Sequence, residues 1–411
     1  MQTTMVTVDG ILKEVYEESL QDQLQSDVIS LRRIERSSEG VTHEVGGKYV
    51  TFPIRTRRNH GIGARGESEA LPPARVSAYV PARVKLKYLY GSLELTGQVF
   101  ELADKNFQAF SSALDQEIQG LRQGLAKDNN RQVYGTPKGV VATAASGSTS
   151  TFVTAAGGGQ YLEEGMLLDH FSSADASKNT NIVVTRVVTD AAGVTTATVG
   201  NDDLTNTVLT TAVAAGDYVT RDNSKDKEIT GLTSIVAATG NLYNIDPATV
   251  SVWASTVNSN AGTARPLSEG LMIKMNDDIR SKGGGTPTVI FTTMGVRRSY
   301  FNLLVQQRRT SNTQKFTGGF EGLAFTTDAG DIPMVSDWDC PPNRMFFLNE
   351  KEIKLYEAGD WSFMDRDGSR WQRVITAAGT FDAYAATLYK YAEIGTHRRN
   401  AHGLLSDITE G

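Results

Sequence analysis

Lys48-Tyr49-Val50-Thr51-Phe52-Pro53-Ile54-Arg55 reads as a strand. It leads through Thr56 into Arg57-Arg58-Asn59-His60-Gly61-Ile62-Gly63-Ala64-Arg65-Gly66-Glu67-Ser68-Glu69-Ala70-Leu71-Pro72-Pro73-Ala74, and then into an extended run from Arg75 to about Leu95. The flanks carry the β-branched and aromatic residues of strands, and the middle carries the glycines, prolines and charges of a loop. Two strands joined by so long a loop make a projecting arm. Its tip reads as almost free of apolar side chains, so folding back on its own core gains little. A neighbouring copy of the chain would supply the missing contacts, which points to an assembly protein rather than an enzyme.

The segment after the arm is the clearest helix. Phe107, Phe110, Leu114, Ile118, Leu121 and Leu125 recur at spacings of 3, 4, 4, 3 and 4. At 100° per residue they fall within an arc of about 80°. So narrow a stripe predicts a long helix lying on one sheet with its back exposed. Gly135, Pro137 and Gly139 end it. Upstream, residues 8 to 37 read as helical, with Leu20, Leu24, Val28 and Leu31 in one stripe and Ile11, Leu12 and Val15 on another face. That fits two short helices, an arm packing on several surfaces, or a plain core helix.

With 411 residues the chain has room for two or three domains. A net charge of −6 argues against an overall basic nucleic-acid reader, which needs a Lys/Arg surplus on its binding face. The single cysteine, Cys340, excludes an intrachain disulfide and a cysteine-rich metal site. The start lacks the pattern of a signal peptide, and no run approaches 18 apolar residues. The expected setting is a cytoplasm.

Residues 140 to 229 change character. Gly157-Gly158-Gly159, Glu164-Gly165-Met166, Asn181 to Val188, Gly193 to Val199, Val208 to Val213 and Gly216-Asp217-Tyr218-Val219 alternate turn signals with short Val/Thr-rich strands. Five or six strands at this spacing predict a small antiparallel barrel or sandwich, inserted between mixed α/β segments. Beyond it, Leu267 to Ser281 and Val296 to Gln307 read as helices. Val289-Ile290-Phe291, Ile332 to Val335, Met345 to Leu348, Ile353 to Tyr356, Trp361 to Met364, Trp371 to Ile375, Phe381 to Ile394 and Gly403 to Ile408 read as strands. Asp367-Gly368 is a hairpin turn signal.

No motif carries catalysis. Gly61-Ile62-Gly63-Ala64-Arg65-Gly66 matches G-x-G-x-x-G, but two carboxylates and two prolines follow where a dinucleotide site needs a helix N-terminus. Asp365-Arg366-Asp367-Gly368-Ser369 lacks the later ligands of a calcium loop. His43, His60, His170, His397 and His402 fall into no zinc frame. The acidic pairs Asp277-Asp278 and Glu163-Glu164 read as solvated. So do the basic clusters Arg57-Arg58, Arg297-Arg298, Arg308-Arg309 and Arg398-Arg399, unless they border another subunit. No cofactor or metal is implied.

The order of elements carries a resemblance. An N-terminal helical arm leads to a charged loop between strands, then to a lone long helix ending in Tyr134-Gly135-Thr136-Pro137-Lys138-Gly139-Val140. Gly330-Asp331-Ile332-Pro333-Met334-Val335-Ser336-Asp337, Met345-Phe346-Phe347-Leu348-Asn349 and the Trp371 to Ile394 strands follow. The whole resembles the major capsid protein of tailed bacteriophages, the Hong Kong 97 type fold. That resemblance implies an α+β fold with an N-terminal arm over 1–40, an extended loop over 41–95, a peripheral domain with spine helix over 96–139 and 361–396, and an axial domain over 230–360 and 397–411. The β-rich insertion occupies 140–229.

The function so implied is a non-enzymatic shell subunit. It would self-assemble into hexamers and pentamers of an icosahedral head around double-stranded DNA, in the host bacterial cytoplasm. Portal, separate scaffolding and decoration proteins would be its partners, with no membrane involved. Arg57, Arg58, Arg65, Glu67 and Glu69 on the extended loop are the expected inter-subunit contacts. Some relatives lock their shells with Lys–Asn isopeptide bonds from this loop; residues 57 to 74 hold no lysine, so none is expected. Two alternatives stand beside this reading: an encapsulin-like protein compartment, and a carbohydrate-binding or hydrolytic enzyme built on the β-rich region.

Overall fold

The computed structural model describes residues 28–38, 49–96, 107–201, 209–308, 323–328, 330–365, 371–376 and 379–411. Most of the N-terminal helical expectation, the Asp367-Gly368 turn and the Arg308-Arg309 cluster lie outside the described residues or side chains. Where the N-terminal segment is described, its helix spans only Ser30–Arg33, and β1 (Glu35–Ser37) follows. The expected helix to residue 37 is thus corrected. Val28, Leu31 and Ile34 are buried in the main core, and a three-residue strand can leave a short helix when its partner strand supplies the hydrogen bonds.

The projecting hairpin pairs β2 (Val50–Arg57) with β3 (Ala78–Val84), in register Val50↔Val84 through Arg55↔Tyr79. The single run expected from Arg75 to Leu95 is broken at Lys85-Leu86. Beyond the break, β4 (Lys87–Thr96) leaves the hairpin and pairs with another strand. The long helix runs Phe107–Tyr134, about 42 Å at 1.5 Å per residue. It packs on β4 at Gly91, where an added Cβ would stand 2.7 Å from Leu125 Cδ1.

Residues 140–221 close on themselves. β5 (Val140–Gly147), β6 (Thr151–Thr154), β7 (Leu167–Phe171), β8 (Ser177–Thr189), β9 (Thr195–Asn201) and β10 (Tyr218–Arg221) form a closed barrel in the order β10-β5-β6-β9-β8-β7. Phe152, Leu168, Ile182 and Val184 fill it. The strand expected over 208–213 is absent from its described part: Leu209 and Val213 are buried in an irregular segment, hydrogen-bonded to Thr149 O and Ser148 O. Thr220 pairs with Val140, so the chain enters and leaves the barrel at one place.

A second sheet follows, with β11 (Thr256–Asn258), β12 (Val289–Thr292), β13 (Ala324–Thr327), β14 (Gly330–Ser336) and β15 (Met345–Leu348). The helix Glu269–Ser281 lies on it. Its N-terminus is set by Ser268, whose hydroxyl accepts from Leu271 N. Met272, Met275 and Ile279 pack on Ile290 and Phe347.

The chain then completes the first sheet with β16 (Ile353–Glu357), β17 (Ser362–Phe363), β18 (Gln372–Thr376) and the eighteen-residue β19 (Gly379–Thr396). β19 pairs with β16, β17, β18 and β4, and β1 lies parallel to β16 at the edge. β20 (Gly403–Leu405) returns to the second sheet between β11 and β15. One cluster joins both sheets, running from Val133 and Tyr134 through Phe291 and Phe346 to Leu355 and Ile394.

Candidate assembly arm and the junction behind it

The arm is held to the body along its paired strands, where Ala82 is buried in the main core and Phe52, Ile54 and Val80 pack on it. Val50, Val84 and Leu86 are buried against Tyr356. From residue 58 to residue 77 the chain is irregular. The glycines at 61, 63 and 66 open no helix, which removes the structural basis of a phosphate site.

Arg57, Arg58, Arg65, Glu67 and Glu69 are all exposed. Two of them are used within the loop. Arg65 Nε donates to Ala70 O at 2.8 Å, and Gly66 N donates to Glu69 Oε2 at 2.8 Å. Neither Arg57, Arg58 nor Glu67 forms an ion pair among the described residues. The expectation of an apolar-poor tip fails. Ile62, Leu71 and Val76 are 81%, 83% and 75% exposed, and Tyr79 beside them is 61% exposed. They stand singly in the sequence with no period, so pattern reading passed over them.

Behind the arm lies a buried polar junction that sequence reading missed. The last turns of the long helix, Asn129 to Tyr134, are buried on every side, although four of these six residues are polar. Asp128 accepts from Arg131 Nε at 3.0 Å, Arg221 Nε at 2.7 Å and Gln132 Nε2 at 2.8 Å. Arg131 also donates to Glu228 Oε1 at 2.5 Å. Burial alone would raise the Asp128 carboxyl, but Arg131 and Arg221 hold it well below the usual carboxylate range. Burial pushes Glu228 up, against the pull of Arg131.

Two residues on from Asp128, Asn130 Nδ2 donates to Asp339 Oδ2 at 2.6 Å and to Asp337. Its Oδ1 accepts from Leu31 N at 3.1 Å. Asp337 Oδ2 accepts from Ser30 N at 3.0 Å and Ser30 Oγ at 2.6 Å, and Ser30 Oγ also meets the Tyr134 hydroxyl. Lys127 Nζ pairs with Asp339 at 2.9 Å, and Tyr161 of the barrel donates to Asp339 O at 2.5 Å. One helix end thereby ties together the N-terminal segment, the barrel and the 337–340 loop. No periodicity signals this, because its residues are polar and their partners lie about a hundred to three hundred positions away.

The basic pair Arg398-Arg399 divides. Arg398 reaches Glu352 at the surface. Arg399 is 1% exposed and donates to the carbonyls of Ile235, Gly240, Ser234 and Thr239 at 2.9–3.0 Å. The solvated reading of Arg399 is therefore corrected. Four carbonyls satisfy its donors, which is what admits a guanidinium to a core. His170 lies inside the barrel, bonded to Asp217 at 3.0 Å and to Asn179 at 2.8 Å. Among the described residues no group of three or more His, Cys, Asp or Glu is placed to hold a metal, and no helix is long and apolar enough to cross a membrane.

An arm that leaves the body, a long helix lying on a sheet and a second sheet beside it define the fold of a capsid-shell subunit. The chain is similar over 99% of its length to a chain of the cyanophage A-1(L) capsid asymmetric unit, all of which is covered, at 14% identity and a TM-score of 0.61. A chain from Mycobacterium phage Bobi is similar at 8% identity and a TM-score of 0.50, with 100% of each chain covered. No curated protein matches the chain in sequence. The profile of the SU10 major capsid protein family matches residues 112–409. The chain belongs to that family. It is a tailed-phage major capsid protein, a structural subunit of the virion, and this decides among the readings the sequence left open.

Proposed function

We propose that copies of this chain form hexamers and pentamers that close an icosahedral head of the Hong Kong 97 type around double-stranded DNA, without catalysis. In this reading 1–40 is the arm, 41–95 the extended loop, 96–139 with 361–396 the peripheral domain, 230–360 with 397–411 the axial domain, and 140–229 an insertion on the outer face. Assembly takes place in the bacterial cytoplasm, with a portal and separate scaffolding or decoration proteins as partners. One observation carries the reading: residues 58–77 project from the body with Ile62, Leu71 and Val76 bare. Such side chains are covered when another copy lies beneath them.

Arg57, Arg58 and Glu67 add charge contacts to that cover, and Arg65 and Glu69 shape the tip. The test is electron microscopy and sedimentation of the purified protein. Parent chains are expected to form capsomers or heads. Ile62→Asp with Leu71→Asp is expected to leave a folded subunit that does not assemble. A parent that stays monomeric at all concentrations and salts sinks the shell reading.

A further inference from the structure

The paired strands of the arm form a sheet of their own. Among the described residues β2 pairs only with β3 and β3 only with β2, so neither outer edge carries a third strand. One face is occupied: Phe52, Ile54, Val80 and Ala82 pack in the main core. Thr51, Pro53 and Arg55, with Tyr79, Pro81 and Arg83, alternate with them and are exposed. An open edge of this length is a template for another strand, and identical arms are the nearest candidates in an assembling solution.

The register shows what blunts these edges. In an antiparallel ladder, facing residues alternate between pairs that exchange both N–H···O bonds and pairs whose N–H groups point outward. Arg83 faces Thr51, and its N–H points outward, donating to Tyr243 O of the body at 3.1 Å. Pro81 lies two residues along and faces Pro53 directly. The same alternation turns both proline nitrogens outward, where an added strand needs a donor and proline has none. On β3 the outward positions are Arg83, bonded to the body, then Pro81 and Tyr79. On β2 they are Thr51, Pro53 and Arg55. Neither edge offers two successive free donors. The ladder then shifts register between Arg55 and Arg57, an irregularity that bends the edge away from straight pairing. Charge acts in the same sense. Residues 49–85 hold seven Lys and Arg against two Glu, in a chain whose net charge is −6, and strands carrying one sign repel each other.

We propose, resting on the shell reading above, that Pro53 and Pro81 determine the specificity of assembly: they keep the arm of one copy from adding as a strand to the arm of another. A neighbouring copy is then met by the arm's tip and exposed side chains. Two open edges on every arm would otherwise let strand pairing pass from copy to copy without closing a shell.

The test replaces the prolines by threonine in the full-length chain, which restores the donor without adding apolar surface. Dissociated subunits are followed by sedimentation velocity, and strand pairing between chains by the intermolecular amide I band in infrared spectra. Pro53→Thr with Pro81→Thr is expected to self-associate at least about tenfold more strongly than the parent, since each partner arm regains a donor. Raised salt is expected to widen the difference by screening the repulsion between arms. The single variants are expected to rank. Pro53→Thr leaves positions 51, 53 and 55 as successive donors, whereas on β3 Arg83 stays bonded to Tyr243, so Pro53→Thr associates more strongly than Pro81→Thr. A general loosening of the fold would not produce that order. The double variant is also expected to give fewer heads, with β-rich aggregates in their place. A double variant as monomeric as the parent at low and high salt, equal or reversed ranking of the single variants, or heads at the parent's yield would each overturn the proposal. A parent that forms no heads would instead sink the shell reading, and the sedimentation comparison would still decide the edges.

Discussion

Arg399 shows how little a residue's type says about its place. It sits next to Arg398 in sequence, and only one of the two reaches solvent. Its fork of donors spans four carbonyls of the 234–240 segment. Lysine brings three donors to a single point and cannot span them. Arg399→Lys is expected to cost about 2–4 kcal/mol in denaturant unfolding, through carbonyls left bare. Two other buried groups set opposite responses to pH. Burial pushes Glu393 up to about 8 from near 4.5, although the Thr230 and Ile394 N–H groups donate to it. Its contribution to stability is whole below pH 4.5 and is lost as pH rises toward 8, because the unfolded chain ionises first. Burial likewise pushes His402 down to about 3 from 6.5; Asn349 N donates to its Nδ1, and its Nε2–H faces Thr396 Oγ1. That contribution is whole above pH 6.5 and is lost as pH falls toward 3. Glu393→Gln is expected to flatten the decline in melting temperature between pH 4.5 and 8. Parallel parent and variant profiles across that range would refute the assignment.

At the scale of elements, the long helix has two parts with different physics. Its middle lies on β4 through Leu125 and Gly91, as an amphipathic stripe does. Its end is held by ions and amides. Gly231, in the strandless stretch after the barrel, touches that end so closely that a Cβ would stand 2.3 Å from Gln132 O and 2.6 Å from Val133 O. These are backbone atoms and cannot step aside. Gly231→Ala is expected to destabilise the subunit by about 1–3 kcal/mol or more, read as a lowered denaturant midpoint. The barrel closes through its own strand pairing and its two connections are adjacent. Replacing residues 141–219 by a short linker is therefore expected to leave a folded remainder, checked by circular dichroism and cooperative melting. The remainder should melt lower than the parent, because Asp339 O loses Tyr161. An unfolded product would show that the barrel is not a separable unit.

At the scale of the whole molecule, the bare apolar residues of the arm change the balance of forces expected at a subunit border. An exposed ion pair contributes about 0–1 kcal/mol and is screened by salt. Burying one aliphatic side chain contributes about 1.5–3 kcal/mol and is not screened. Arg57→Glu with Arg58→Glu is therefore expected to lower head stability modestly at low salt and to match the parent at high salt. Ile62→Asp with Leu71→Asp should abolish assembly at both. Melting of intact particles across a salt series separates the two contributions. Residues 57–74 hold no lysine, so boiled heads should run as a single band near 44.5 kDa, and a ladder would contradict this.

The sequence by itself determined what is local and periodic. The apolar stripe of 107–125 defined the long helix, short unbroken apolar runs defined β12 and β15, and turn signals at short intervals marked 140–229 as β-rich. Period and turn chemistry act over a few residues, so they can be read from a few residues. Tertiary structure alone decided where the run after the arm breaks, because β4 leaves β3 to pair with β19, three hundred positions away. It also decided that residues 209–213 pack without a strand, that Arg399 lies in the core, and that Asp128, Asn130 and Glu228 form a junction. These outcomes rest on partners distant in the chain, and a polar residue carries no sign of whether water or a buried partner will satisfy it.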